Sequence, residues 1–168
     1  MKSCVAAAVF LSLAGSSLAF LFGTGPAHAS CKAQWTVGMA CSQVETALLN
    51  QIQTWSGPEN CKSGPINEKC LYVLKSNSEG VIKLTHETPL KHYIDDVSFT
   101  LKSQGDASCQ LGGYSTAETW YAVLDQGTNY CNMFNLLEGA SLTTAAGYTE
   151  TASDASCTQR SSADCNRY

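Results

Sequence analysis

Ser42-Gln43-Val44-Glu45-Thr46-Ala47-Leu48-Leu49-Asn50-Gln51-Ile52-Gln53-Thr54-Trp55 is the stretch on which the fold turns. Val44, Leu48, Leu49, Ile52 and Trp55 recur at helical intervals and lay one apolar stripe along an amphipathic helix. Ser42 and Glu45 have the spacing of a capping box, which would satisfy free N–H groups at the helix start. Gly57 and Pro58 end the pattern, the first by permitting a left-handed cap and the second by refusing to continue the helix. The stripe needs something flat to cover.

Downstream the period changes from helical to alternating. After a Gly64-Pro65 turn, Leu71 to Ser76 and Val81 to Thr88 are short β-prone runs separated by Asn77-Ser78-Glu79-Gly80, which reads as a hairpin. Pro89 closes the second run. In the third, Tyr93, Asp95, Val97, Phe99 and Leu101 share one face, and Asp96, Ser98, Thr100 and Lys102 the other. A fourth strand starts at Cys109. Thr119 to Leu124 reads as a fifth, with a helix capped by Ser115 and Glu118 as the alternative. Tyr130, Met133, Phe134 and Leu137 then mark a short second helix, with Gly139 as its cap. Residues 140–168 are rich in Ser, Thr and Ala and read as a loop-rich tail. The links are too short for parallel crossovers. The expected fold is therefore α+β: an antiparallel sheet of four or five strands covered by one amphipathic helix, with a second short helix and disulfide staples.

The chain opens like a secretory leader. Lys2 supplies the positive start, Val5 to Phe22 an apolar stretch, and Ala27-His28-Ala29 a processing pattern with cleavage expected before Ser30. A cut after Ala19 and an uncleaved membrane anchor are the alternatives. The expected division is residues 1–29 as signal peptide and 30–168 as one secreted, extracellular domain, large enough for a single core. Losing Lys2 would take the net charge from −4 to one unit lower. Such an acidic surface argues against nucleic acid and, once the leader is gone, against anionic membranes.

Cys4 lies in the leader, which leaves Cys31, Cys41, Cys61, Cys70, Cys109, Cys131, Cys157 and Cys165. An even set in an exported chain implies four disulfides. Spacing alone does not select among the pairings; joining nearest neighbours gives 31–41, 61–70, 109–131 and 157–165. Zinc is disfavoured because no Cys-x-x-Cys occurs and only His86 and His92 follow the leader. No cofactor is implied.

Chemistry has few footholds. His86 shares a strand face with Ile82 and Leu84 and reads as packed, and no Gly-x-Ser-x-Gly elbow accompanies it or His92. Asp95 and Asp96 point to opposite faces, so they cannot act as an acid–base pair. Asp95, beside Val97 and Phe99, needs N–H partners or a cation, because a bare buried carboxylate is costly. Asp125-Gln126-Gly127-Thr128-Asn129 resembles a calcium-loop fragment but lacks the closing acidic ligand, and it doubles as an ordinary turn. The segment from Gly112 to Asn135 mixes aromatics with amides, as a polar-rimmed pocket does and as a Tyr-rich core also does. Tyr114, Trp120, Tyr121, Asp125 and Asn129 are its candidate ligand-binding residues.

Over residues 80–137, the strand Thr88-Pro89-Leu90-Lys91-His92-Tyr93-Ile94-Asp95-Asp96-Val97-Ser98-Phe99, then Gly113-Tyr114-Ser115 and Asp125-Gln126-Gly127-Thr128-Asn129, resembles a bacterial and plastid family of unknown function. That family carries an Asp-Asp-Val-x-Phe strand and a later Asp-x-Gly-x-Asn turn into a helix. This chain lacks the family's basic residues after the Asn and has more cysteines. The resemblance implies a helix-plus-sheet layout and no activity.

The expected function is a secreted, non-enzymatic binding protein for a small ligand or an extracellular protein. A small secreted hydrolase using His86 or His92, and a structural or defence protein of an extracellular coat, are the alternatives.

Overall fold

A computed structural model describes residues 28–61, 67–119 and 123–168. The expected leader lies outside them except for His28 and Ala29, as do the Gly64-Pro65 turn and Trp120 to Ala122, the middle of the expected fifth strand. Among the described residues no helix is long and apolar enough to cross a membrane.

The fold is α+β, with six strands rather than four or five. In chain order these are β1 (Ser30–Val37), α1 (Cys41–Thr54), β2 (Tyr72–Ser78), β3 (Val81–Glu87), β4 (Ile94–Ser103), β5 (Cys109–Ala117), α2 (Thr128–Gly139) and β6 (Thr149–Thr151). They form one antiparallel sheet in the order β2-β3-β4-β5-β1-β6. Both helices pack on one face of it. The two strands beyond the expected ones flank the chain. β1 alternates cleanly, with Cys31, Ala33, Trp35 and Val37 buried. β6 is three polar residues that extend the β1 edge from within the tail.

Each element has a local cause. The β2–β3 turn is Glu79-Gly80, both at positive φ (53° and 73°), the geometry that matches the twist of a two-residue hairpin. α1 buries Val44, Leu48 and Ile52 as the stripe requires. Its start differs from expectation: the helix begins one residue before Ser42, and Gln43 Oε1 accepts from the Ala40 N–H at 3.3 Å. Glu45 is free of the cap and accepts instead from Asn77 Nδ2 at 2.7 Å. Gly57 sits at φ −100°, so it is no left-handed cap.

α2 is the central helix rather than the minor one, since nine of its twelve residues are buried. Gly139 belongs to it as its last residue, and a Cβ there would fall 2.7 Å from both Gln51 and Trp55 of α1. It allows the helices to close on each other and is not a cap. Gly113 plays the same part in the sheet, because a Cβ would meet Trp35 at 2.5 Å and the Met133 sulfur at 2.7 Å. Trp35, Phe99, Leu111, Met133, Leu136 and Leu137 make the middle of the core.

Four disulfides staple this layout: Cys31–Cys157, Cys41–Cys109, Cys61–Cys70 and Cys131–Cys165. Of the nearest-neighbour pairings only 61–70 is present. The others fail because sheet order, not sequence order, sets which cysteines meet: β1 lies beside β5, and the tail returns over β1 and α2. Two bridges thus hold the tail, one at Cys157 on β1 and one at Cys165 on α2. Taken singly, a 126-residue closure restricts the unfolded chain by about 5 kcal/mol, against about 2.5 kcal/mol for the nine-residue one.

Candidate functional site

The apolar core stops short of one end of the sheet. On β4 the inward series Phe99, Val97 ends in Asp95; on β5, Leu111 and Gly113 are followed by Ser115; on α2, the turn before Met133 presents Asn129 and Asn132. All of these polar groups are buried. They satisfy one another in a chain. Asn132 Nδ2 donates to Asp95 Oδ2 at 2.7 Å and lies 3.3 Å from Ser115 Oγ. Ser115 Oγ donates to Asn129 Oδ1 at 2.7 Å, and Asn129 Nδ2 donates to Asp125 Oδ2 at 2.8 Å. Buried polar groups persist when paired in this way.

Asp125 anchors the start of α2. Its carboxylate accepts from the backbone N–H of Gly127 and Asn129, each at 3.1 Å, while Thr128 Oγ1 donates to the Asp125 carbonyl at 2.6 Å. The Asp-x-Gly-x-Asn segment is therefore a helix cap. Of the oxygens that suggested a calcium fragment, those of Asp125 accept from N–H groups and Asn129 Oδ1 accepts from the Ser115 hydroxyl. Among the described residues no cluster of three His, Cys, Asp or Glu is arranged to hold a metal ion.

Above this floor opens a cleft of about 430 Å³, within the ~300–1,000 Å³ usual for small-molecule sites. Its walls include Glu68, Asp95, Asp125 and Asn129, with Leu90 and Tyr93 from the β3–β4 loop and Arg167 and Tyr168 from the tail. The Cys131–Cys165 bridge brings the tail there, and Asn135 Nδ2 fixes it by donating to the Tyr168 carbonyl at 2.7 Å.

Glu68 is the unusual member. Its main-chain carbonyl is held from two sides, by the Cys70 N–H at 2.8 Å and by His86 Nε2 at 2.7 Å. Its side chain is enclosed, at 7% exposure, yet Oε2 has no hydrogen-bond partner. Burial, and then the nearby Asp95 charge, push its carboxyl up to about 7, only partly offset by Arg167. Asp95 is pushed up to about 6, chiefly by burial and against the Asn132 hydrogen bond; Asp125, Glu118 and Asp96 add to the rise. Two carboxyls with opposed surroundings from ordinary surface acids thus share one cleft.

His86 is fully buried, stacked on Tyr72 with ring centroids 4.3 Å apart. Because Nε2 donates to a carbonyl it carries the proton, and burial pushes the imidazole down to about 4. His92 stands in the β3–β4 loop at φ 55°, paired with Glu87 and largely solvated.

Of the residues singled out in the sequence, Asp125 and Asn129 come together at the cleft. Tyr114 does not: it lies on the opposite face of β5, with Lys32 Nζ 5.6 Å from its ring centroid. Trp120 and Tyr121 lie outside the described residues. Glu68, Tyr93, Arg167 and Tyr168 were not singled out as site residues, and only the long-range fold assembles them. Glu68 in particular sits between Cys61 and Cys70 in no periodic pattern.

No protein-family model matches the chain, and no curated protein matches it. Among solved structures, it is similar to an open-form crystal structure of the exocytosis-sensitive phosphoprotein pp63/parafusin, a phosphoglucomutase from Paramecium. The identity is 10%, and the match covers 71% of this chain and 22% of that one at a TM-score of 0.32. A likeness of that size carries no argument about fold or function.

Proposed function

We propose that the protein is exported and acts outside the cell as a non-enzymatic binding protein, holding a small ligand in the cleft over Asp95, Asp125 and Asn129. The observation that carries this reading is the floor itself. A buried chain of polar side chains, locked by hydrogen bonds and ending in an open cleft, is preorganised for a ligand. Export is supported by the leader-like pattern at Val5 to Phe22 and Ala27-His28-Ala29, and by four disulfides, which persist in oxidising compartments.

The test is a ligand screen on protein recovered from culture medium, read by native mass spectrometry and by amide chemical shifts. Perturbation of Thr128, Asn129 and Tyr93 by a bound small molecule is the expected result. A screen that leaves those amides unmoved while shifting the opposite face at Tyr114 removes the reading. N-terminal sequencing of the same material should begin at Ser30.

One observation favours a second reading. Carboxyls at about 7 and about 6 lie in the range useful for proton transfer at neutral pH, so a hydrolase working through Glu68 and Asp95 is the alternative. A histidine-based hydrolase has less support, since His86 is sealed beneath Tyr72. Turnover of aryl esters or glycosides that is lost in both Glu68→Gln and Asp95→Asn would select the hydrolase.

A further inference from the structure

Resting on the cleft-binding reading, we infer that the ligand is a small organic cation: an ammonium group seated between Glu68 and Asp95, with an apolar body lying against Leu90, Tyr93 and Leu124.

The carboxylates of the cleft differ in how many donors they hold. Asp125 uses its oxygens on the N–H groups of Gly127 and Asn129, and Asp95 takes one donor from Asn132. Glu68 Oε2 is buried with none. A buried carboxylate oxygen without a donor is unfavourable, and a second carboxylate nearby adds repulsion. Glu68 lines the cleft and makes no ion pair, so an ammonium group seated there supplies the positive charge this carboxyl lacks, and charge-assisted contacts are the stronger kind.

The protein's own cations do not fill this role. Among the described residues the ion pairs are Lys69–Glu138, Arg160–Glu150 and His92–Glu87. Arg167 lowers the Glu68 carboxyl by its charge but makes no ion pair with it, and Lys91 Nζ lies 5.8 Å from the Tyr93 ring centroid. The acidic balance of the whole chain also favours the approach of a cation.

The rim of the cleft is apolar. Among the described residues, Leu90, Tyr93 and Leu124 are large apolar side chains left exposed, at 69%, 46% and 72%, and all three border this cleft. Apolar surface gathered beside a buried charge fits a ligand with one charged end and one apolar end. A bare metal ion would leave the rim unused, and a sugar would gain little from it.

Binding of a cation also has a proton signature. Glu68 is faced by Asp95 from β4, by Arg167 from the tail and by the carbonyl-bonded His86 from β3; Asp95 feels the charges of Asp125 and Glu118 and, from the other face of its own strand, Asp96. A cation that favours the ionised carboxylates must release protons on binding near pH 7.

The test uses the disulfide-bonded protein and three probes of one shape: 2-phenylethylammonium, 2-phenylethanol and phenylacetate. Calorimetry at pH 7 in phosphate and in Tris should show the ammonium binding at least ten-fold more tightly than the alcohol, with proton release. Glu68→Gln, which removes a charge but keeps the shape, should weaken the ammonium at least ten-fold and leave the alcohol unchanged. Equal binding of ammonium and alcohol, tighter binding of phenylacetate, or ammonium binding that Glu68→Gln leaves intact overturns the inference. The first two of those results would still leave the cleft as a binding site; amide shifts confined to other surfaces would remove the site as well.

Discussion

Two glutamates that enter the protein interior meet opposite fates. Glu150, on β6, is surrounded by donors: Trp35 Nε1, Tyr148 Oη and Arg160 each at 3.0 Å, with Tyr130 Oη at 2.9–3.0 Å from both of its oxygens. Burial would raise its pKa, but these hydrogen bonds prevail and hold it below the usual 4.5. Arg160 also lies over the Tyr130 ring, 3.7 Å from its centroid. Glu68 is enclosed with one oxygen bare and is driven the other way, to about 7. The first pins the tail to the sheet edge. The second costs stability in its ionised form, which is why it is the residue to assign to a ligand.

The largest expected effect comes from the satisfied glutamate. Glu150→Gln should lower stability by about 3 kcal/mol in urea unfolding, because one change disrupts several hydrogen bonds to a charge. Its folded pKa is depressed, so its contribution is present above 4.5 and lost as pH falls through the lower folded value. The difference between wild type and variant should therefore shrink in acid. A difference that persists unchanged at pH 3 would mean the side chain acts through packing alone.

Asn132→Ala comes next, at about 2 kcal/mol, since it strips Asp95 of its donor and opens the link to Ser115. The loss should be smaller at pH 5 than at pH 8, because Asp95, at about 6, is then mostly protonated.

Glu68→Gln should act in the opposite direction, stabilising the unliganded protein by about 1–2 kcal/mol at pH 8. Here the folded pKa is raised, so between 4.5 and about 7 the folded state holds more protons than the unfolded one, and wild-type stability rises on acidification through that window. By pH 4.5 the two proteins should converge. Comparing them at each pH cancels the opposite slope from His86, whose folded pKa lies at about 4. Destabilisation at pH 8 would show that Glu68 has a protein partner and is not reserved for a ligand.

Tyr114→Ala should have the smallest effect, within about 0.5 kcal/mol, with no change at the cleft, because its ring stands on the open face of the sheet.

The same contrast explains what the chain discloses before folding. α1, the β2–β3 hairpin, β4, β5 and α2 are written in local periodicity and turn chemistry, and those signals are reliable where apolar residues recur at 3.6 or 2. β1 also alternates, but it lies directly behind the leader-like segment, whose apolar run masks where the strand pattern starts. β6 has no periodicity of its own; Thr149-Glu150-Thr151 becomes a strand only because the β1 edge is there to pair with. The disulfides follow sheet order, which spacing does not contain. At the cleft, Asp125 and Asn129 stand out in the sequence as site residues only through the aromatics and amides around them, and their helix-capping bonds emerge from the structure. Glu68, Arg167 and Tyr168 do not stand out, because a bridge, a returning tail and a distant imidazole bring them there.

Ionisation of Glu68 is the property on which the cleft's role most directly depends. The Glu68 side-chain carboxyl carbon, followed by ¹³C NMR in unliganded protein, should titrate with a midpoint of about 7 and move to lower pH when 2-phenylethylammonium is added. A midpoint at the ordinary 4.5, unmoved by the amine, would contradict that role.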